Sequence, residues 1–216
     1  MEKTSKKHLK LFMLFCMFGS IAFTQAKSGI ENYNQLGRGN EYIWMPVVHY
    51  EAKKGMYAEL RYNYEDLKTF SFYAGKTYAG ETDLKHSITP MAGYCIGKFT
   101  GLSLAVNAEA EWKDLYVSTQ TQFSMATKKE AANFFFSWSE AGYNVSQVFF
   151  AGLAIQYTRQ QGANDMQPGL LAGLNLKNIS IPFYLFSPFQ KGRYMVLGFV
   201  YEYHLKRKTN NGLHLE

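Results

Sequence analysis

The stretch that decides the fold is residues 56–65, MYAELRYNYE, in which apolar and polar side chains alternate. A period of two places successive side chains on opposite faces of a β-strand. Residues 102–112, LSLAVNAEAEW, repeat the pattern, with large or small apolar residues at every even position. A helix would need apolar residues three or four positions apart, and neither stretch has that spacing. The two stretches therefore predict β-strands with one apolar face each.

The same rhythm runs through most of the chain. Comparable segments lie at 41–50, 56–65, 69–78, 85–97, 102–112, 115–124, 133–143, 148–159, 169–177, 179–187 and 193–205. Most of them reach the roughly 9–11 residues that a tilted strand needs to cross a bilayer. Short polar turns separate them, and no composition shift or Pro/Ser-rich linker divides the chain. We therefore expect one all-β antiparallel domain.

The position of the aromatic residues distinguishes a membrane barrel from a soluble one. Of the 216 residues, 36 are aromatic. Tyrosines and tryptophans fall near the ends of the apolar faces, at Tyr42, Trp44, Tyr50, Tyr62, Tyr64, Tyr78, Trp112, Tyr157, Tyr201 and Tyr203. Rings with a polar tip favour the headgroup level of a membrane and form girdles around outer-membrane barrels. The pattern predicts an up-and-down transmembrane β-barrel, with a secreted, soluble ligand-binding barrel as the alternative.

Topology indicates the number of strands. Single-chain bacterial barrels have an even number of strands with both termini in the periplasm, so the eleven segments require an additional ascending strand within residues 30–39. With twelve strands, the longer connections (127–132, 161–165 and 190–192) lie on the extracellular side of the membrane. The tight turns (53–55, 113–114 and 177–178) then lie on the periplasmic side. Pro46, Pro90 and Pro182 lie within predicted strands, where each costs a ladder hydrogen bond. Ten strands therefore remain an alternative.

The N-terminal residues predict export. Lys3, Lys6, Lys7 and Lys10 precede an apolar run at 11–23, which is followed by Thr24-Gln25-Ala26. This order is typical of a secretory signal peptide cleaved after Ala26. We expect a signal peptide at 1–26, a barrel at 27–205 and a polar tail at 206–216. Cleavage removes Cys16 and leaves Cys95 alone, so no intramolecular disulfide forms. Because residues 1–26 hold four lysines and one glutamate, their loss lowers the formal net charge from +6 to +3.

Several blocks carry a resemblance to a known group of proteins. They are residues 56–64 followed by 69–76, residues 88–92 (ITPMA) and residues 193–198 (RYMVLG), together with the leader. The chain resembles small uncharacterised outer-membrane β-barrel proteins of Gram-negative bacteria. The last strand also resembles the C-terminal signal that is read during barrel insertion. The resemblance implies a fold, an outer-membrane location after export, contact with outer-membrane lipid, and the barrel-assembly machinery as a partner during insertion. It implies no functional residue.

The polar residues on the lumen side are the candidates for function. Because alternate residues of a strand share a face, their odd or even position (parity) assigns eight charged or titratable residues to the lumen side. They are His49, Glu59, Arg61, Glu65, Glu109, Glu111, Glu202 and His204. Buried charges must be paired or hydrated, so one interpretation is a salt-bridged plug in a purely structural barrel. The other is a narrow passive channel for small solutes or ions, in which surplus carboxylates favour cations.

Other classes of function find little support in the sequence. His86 and Ser87 are adjacent, and neighbours on a strand point to opposite faces, so we assign no catalytic residue. A lipid-modifying outer-membrane enzyme remains an alternative through partners on other strands. The histidines at 49, 86, 204 and 214 lack the spacing of a local metal site, so we predict no metal and no cofactor. The basic residues do not gather with aromatics on one face, and we expect no nucleic-acid partner.

Overall fold

The computed structural model describes residues 26–37, 42–128 and 131–204, and these contain no helix. The predicted signal peptide, except Ala26, and the predicted tail lie outside the described residues. The strands are β1 (Lys27–Leu36), β2 (Ile43–Glu51), β3 (Met56–Tyr62), β4 (Thr69–Lys76), β5 (Tyr78–Glu81), β6 (Lys85–Gly97), β7 (Gly101–Trp112), β8 (Leu115–Ala126), β9 (Phe134–Asn144), β10 (Phe149–Gln160), β11 (Ala163–Leu176), β12 (Ile179–Phe186) and β13 (Tyr194–His204).

The strands close into an antiparallel up-and-down barrel. Each strand pairs with its neighbours in the chain, except that β4 and β5 both pair with β6 and not with each other, and β1 also pairs with β13. The segments β4 and β5 form one barrel strand, because Gly75 pairs with Met91 and Tyr78 pairs with Ile88 in the same register along β6. Pro90 stands opposite the interruption, and it has no N–H to donate to the ladder. The thirteen segments therefore make a twelve-stranded barrel, as the sequence predicted.

Prolines interrupt the pairing without shifting it. Between β12 and β13, Ser180 pairs with Val200 and Phe183 pairs with Leu197, so the ladder pauses around Pro182 and resumes in the same register. Pro46 is accommodated within β2, facing Asn32 of β1. Each of the three prolines lies inside its strand, and the register is the same on either side of it. The ten-strand alternative was wrong for this reason.

The outer face of the barrel is apolar and the inner face is mostly polar or aromatic. Leu104 is 56% exposed and Leu153 is 63% exposed, whereas the inward-facing Ser103 is 1% exposed. Exposed rings lie near both ends of the barrel, among them Tyr42, Trp44, Tyr50, Trp112 and Tyr203. A soluble barrel would bury this apolar face. No helix long and apolar enough to cross a membrane occurs among the described residues.

One predicted strand ends earlier than its alternation suggests. Strand β3 ends at Tyr62, and Asn63 has a left-handed backbone with φ 58°. Asparagine tolerates this conformation well, and it breaks the period of two. Tyr64, which the sequence placed with the lipid-facing aromatics, is consequently turned into the lumen, where it lies beside Arg61 and Phe136.

One connection is shorter than predicted. Strands β10 and β11 are joined by Gln161 and Gly162 alone, both with positive φ (52° and 81°), as two-residue hairpin turns require. Residues 163–165, predicted as part of a long loop, belong to β11 and pair with β10. Their polar side chains obscured the strand, because this hairpin is exposed to solvent.

Candidate functional site

The interior contains a large cavity at the end of the barrel where β1 begins and β13 ends. Its volume is about 1030 Å³, and Lys27, Lys85, Glu111 and His204 at strand ends belong to its lining. We call this cavity the vestibule. Seven glutamates line it: Glu31, Glu51, Glu81, Glu109, Glu111, Glu140 and Glu202. The lysines among its lining residues are Lys27 and Lys85. The vestibule is therefore strongly acidic.

The residues that parity assigned to the lumen fall into two groups. His49, Glu109, Glu111, Glu202 and His204 line the vestibule. Glu59, Arg61 and Glu65 lie deeper in the barrel, where their side chains are almost completely buried. Sequence alternation could not separate these groups, because it gives the face of a strand and not the depth along the barrel axis.

The deep group is centred on Arg61. Its guanidinium pairs with Glu59 and lies 3.4 Å from Oε1 of Glu65. The rings of Tyr64 and Tyr73 flank it, at 4.6 and 4.5 Å from Cζ to the ring centres. Glu65 also accepts hydrogen bonds from Ser71 and Tyr73. A buried ion pair persists only with such additional hydrogen bonds, and here every charged group has them.

Side chains from this group also reach β8. Arg61 Nη1 donates a 2.8 Å hydrogen bond to Oε1 of Gln122 on β8, and Tyr64 donates to Gln120 on the same strand. Burial raises the pKa of the Tyr64 hydroxyl, so that it stays protonated and able to donate. We call Arg61, Tyr64, Gln120 and Gln122 the cross-lumen layer. The layer limits the width of the lumen beyond the vestibule.

The inner end of the vestibule has an aromatic floor. The ring centres of Tyr33 and Trp138 are 5.4 Å apart, and those of Trp138 and Tyr184 are 5.0 Å apart. The outer two rings each donate to a carboxylate at 2.8 Å, Tyr33 to Glu31 and Tyr184 to Glu140. The floor thus consists of three contacting rings, the outer two of which donate hydrogen bonds to carboxylates.

Glu31 also faces His49, whose Nδ1 lies 3.3 Å from its carboxylate. The imidazole is held there by close packing over Gly29, since a Cβ on Gly29 would lie only 2.4 Å from the ring. Only glycine leaves room for this ring position.

Four vestibule carboxylates have no basic partner within ion-pair distance among the described residues. Glu109, Glu111, Glu140 and Glu202 have no lysine, arginine or histidine nitrogen of the described residues within 4.0 Å. Glu109 interacts electrostatically with the acidic Glu202 and Glu31 and with the basic Lys27 and His49. The acidic potential of the vestibule is therefore only partly neutralised from within.

Several residues of the site were not predicted. Glu31 lies on β1, whose bounds the sequence left open within residues 30–39, and Glu140 lies on β9 beside Trp138. The inward face of β9 is largely aromatic, with Phe134, Phe136 and Trp138, so its polarity does not distinguish it from the lipid-facing side. The sequence signal available for Glu140 was its spacing of two from Trp138, which places both side chains on the same face of β9.

Within the described residues, the adjacent histidine and serine do not come together and no metal-ligand cluster is found. His86 and Ser87 occupy successive positions on β6 and so point to opposite faces. No group of three or more His, Cys, Asp or Glu residues within 26–37, 42–128 and 131–204 is placed to hold a metal ion. Cys95 is a free, buried thiol.

Solved structures with this architecture are outer-membrane porins. The KdgM porin is similar with a TM-score of 0.59 and 11% sequence identity, over 82% of this chain and 99% of that one. The KdgM porin in complex with disordered oligogalacturonate gives 0.58 and 12% over 82% and 99%. No protein-family model and no curated protein sequence matches. The chain thus has the twelve-stranded β-barrel fold of these porins, and at this identity the likeness extends to the fold alone.

Proposed function

We propose that the protein is an integral outer-membrane barrel that acts as a narrow passive channel with a preference for cations. The observation that carries this proposal is the vestibule, whose lining contains seven glutamates and two lysines among the residues that the structure describes. Carboxylates lining a restricted aqueous space raise the local concentration of cations and repel anions. The apolar outer face and the porin-type fold support the outer-membrane location, with the vestibule on the periplasmic side.

The cross-lumen layer supports a small bore. Arg61 and Gln122 connect β3 to β8, which three strands separate along the wall. Their side chains occupy space that a wide pore would leave to water. We therefore expect low conductance compared with a general porin, and exclusion of large solutes.

The testing experiment has two stages. Cells expressing the full chain are fractionated, and the outer-membrane fraction is compared on gels with and without heating, because a stable barrel migrates differently before it unfolds. The purified protein is then placed in a planar bilayer under a KCl gradient. Discrete low-conductance steps with a reversal potential on the cation-selective side support the proposal. A barrel that inserts but never conducts, or that conducts with anion selectivity, contradicts it.

A further inference from the structure

The inner end of the vestibule has features that a simple cation-attracting funnel does not need. An inorganic cation needs only oxygen ligands, whereas here two carboxylates accept hydrogen bonds from two of three contacting rings. Trp138 and Tyr184, the central and one outer ring, are 6% and 2% exposed. Sites for small organic molecules are typically concave and mostly apolar, with a few placed polar groups. The floor has this composition.

From this arrangement we propose that the vestibule floor binds an aliphatic diamine, with one ammonium group at Glu31, the other at Glu140, and the methylene chain against Tyr33, Trp138 and Tyr184. This inference names the class of cation that the proposed channel would take. Its physiological meaning therefore rests on the proposed function. Binding itself requires only the folded barrel.

The two ends of the floor are already oriented for positive charge. Each carboxylate receives one tyrosine hydroxyl at 2.8 Å, and Glu31 also faces Nδ1 of His49 at 3.3 Å. Because a carboxylate has about four acceptor positions, further positions stay open on both groups. Hydrogen bonds between an ammonium and a carboxylate are charge-assisted and stronger than neutral ones. Glu31 and Glu109 both act electrostatically on Glu140, so a bound cation relieves repulsion among carboxylates.

The middle of the floor suits a hydrocarbon chain. Tyr33, Trp138 and Tyr184, whose neighbouring ring centres are 5.4 and 5.0 Å apart, are contiguous apolar groups in the lining of the same cavity as the two carboxylates. A strongly hydrated divalent ion gains nothing from these rings, while methylene groups lose contact with water there.

A further acceptor lies in the same cavity. The side-chain oxygen of Asn107, a vestibule-lining residue, is buried and accepts no hydrogen bond from the described residues. It lies two positions before Glu109 on the same face of β7. An unsatisfied buried acceptor is costly unless a donor reaches it, and an ammonium group supplies up to three donors.

The test measures binding of 1,5-diaminopentane to the purified full-length protein in detergent micelles, by isothermal titration calorimetry. Pentylamine, which has the same chain and one charge, and Mg²⁺ are the comparison probes. Because a hydrogen bond to a charged group contributes enough to change affinity by about tenfold, the diamine is expected to bind at least about tenfold more tightly than pentylamine. Equal affinities for the two amines, or tighter binding of Mg²⁺, overturn the proposal.

Two variants locate the site. Glu140→Gln keeps an oxygen that accepts from Tyr184 and removes the charge, and it should weaken diamine binding by about tenfold. Asp114→Asn removes one charge in the exposed β7–β8 turn at the same end of the barrel and should leave affinity nearly unchanged. An equal effect of both variants would mean that only the overall field attracts the diamine, and would overturn the site.

The outcomes distinguish failure of the diamine site from failure of the proposed channel. Diamine binding that Glu140→Gln weakens, in a barrel without conductance, supports the site and contradicts the channel. Cation-selective conductance without diamine binding supports the channel and contradicts the diamine site. Retained heat-modifiable mobility of each variant establishes that loss of binding is not loss of fold.

Discussion

Arg61 on β3 donates a 2.8 Å hydrogen bond from Nη1 to Oε1 of Gln122 on β8, so that two distant walls of the barrel are joined through its lumen. Glu59 and Glu65 hold the guanidinium from its own side of the barrel. This contact occupies part of the lumen and leads to two separable predictions, one on conductance and one on stability.

Gln122→Ala should increase single-channel conductance. The substitution removes the acceptor and most of the side chain, while Arg61 keeps both carboxylates, so the fold should lose no more than the roughly 1.5–3 kcal/mol of one hydrogen bond to a charged group. Planar-bilayer recording of the variant measures the step size. The matched control is Gln156→Ala, which removes a buried lumen glutamine that accepts from Tyr194 instead. A Gln122→Ala conductance equal to that of the unmodified protein would show that the cross-lumen layer does not limit flow.

Arg61→Ala should destabilise the barrel strongly. Glu59 is 2% exposed, and removing the guanidinium leaves buried carboxylates without their cation, a change that costs about 3–5 kcal/mol. Reversible denaturant unfolding from lipid vesicles, followed by heat-modifiable mobility, measures the loss. Arg61→Lys retains the positive charge but loses the forked guanidinium that contacts several acceptors. Its loss of unfolding free energy should therefore be smaller than that of Arg61→Ala. Equal stability of the alanine variant and the unmodified protein would contradict the role of Arg61.

Glu109→Gln combined with Glu111→Gln should reduce cation preference. Both carboxylates line the vestibule, and the amides keep nearly the same size while removing two negative charges. The reversal potential under a KCl gradient should move towards zero as the local cation excess falls. Asp83→Asn combined with Asp114→Asn removes two charges from exposed turns at the same end and serves as the control. Unchanged selectivity in an active Glu109/Glu111 variant would remove the carboxylates as its cause.

Leu153→Arg should test the membrane-facing surface. Leu153 lies in the middle of β10 and is 63% exposed on the apolar side, where an arginine at the bilayer midplane costs about 2–4 kcal/mol. Gly192→Arg places the same side chain in the β12–β13 connection, where nothing lies within 4 Å of an added Cβ. The unfolding free energy in vesicles should fall for the first variant only. Similar values for both would argue that this face does not contact lipid.

Much of the fold was predictable because lipid and lumen impose opposite polarities on alternate residues. Residues 102–112 show this clearly, with Leu102 and Leu104 outside and Ser103 buried inside. The prediction of twelve strands is confirmed despite the prolines, because the strand pairing keeps the same register on either side of Pro90 and Pro182. The error at Tyr64 arose where Asn63 adopts a left-handed backbone, since a single residue with positive φ ends the alternation on which parity depends.

The candidate site was predictable only as a set of side chains on one face. Parity placed Glu59, Glu109 and Glu202 together, yet the structure puts Glu59 in the buried Arg61 group and the other two in the vestibule. Glu31 and Glu140 were not predicted, and they carry the inference drawn from the floor.

The sequence by itself determined the strand periodicity, the apolar outer face and the closed antiparallel order, because these depend on local alternation and on turns between adjacent segments. Tertiary structure alone decided which residues meet across the lumen, such as Arg61 with Gln122 and Tyr33 with Trp138. The physical reason is the tilt and stagger of the closed sheet. They set the height of each side chain along the barrel axis, and no local pattern of residues records that height.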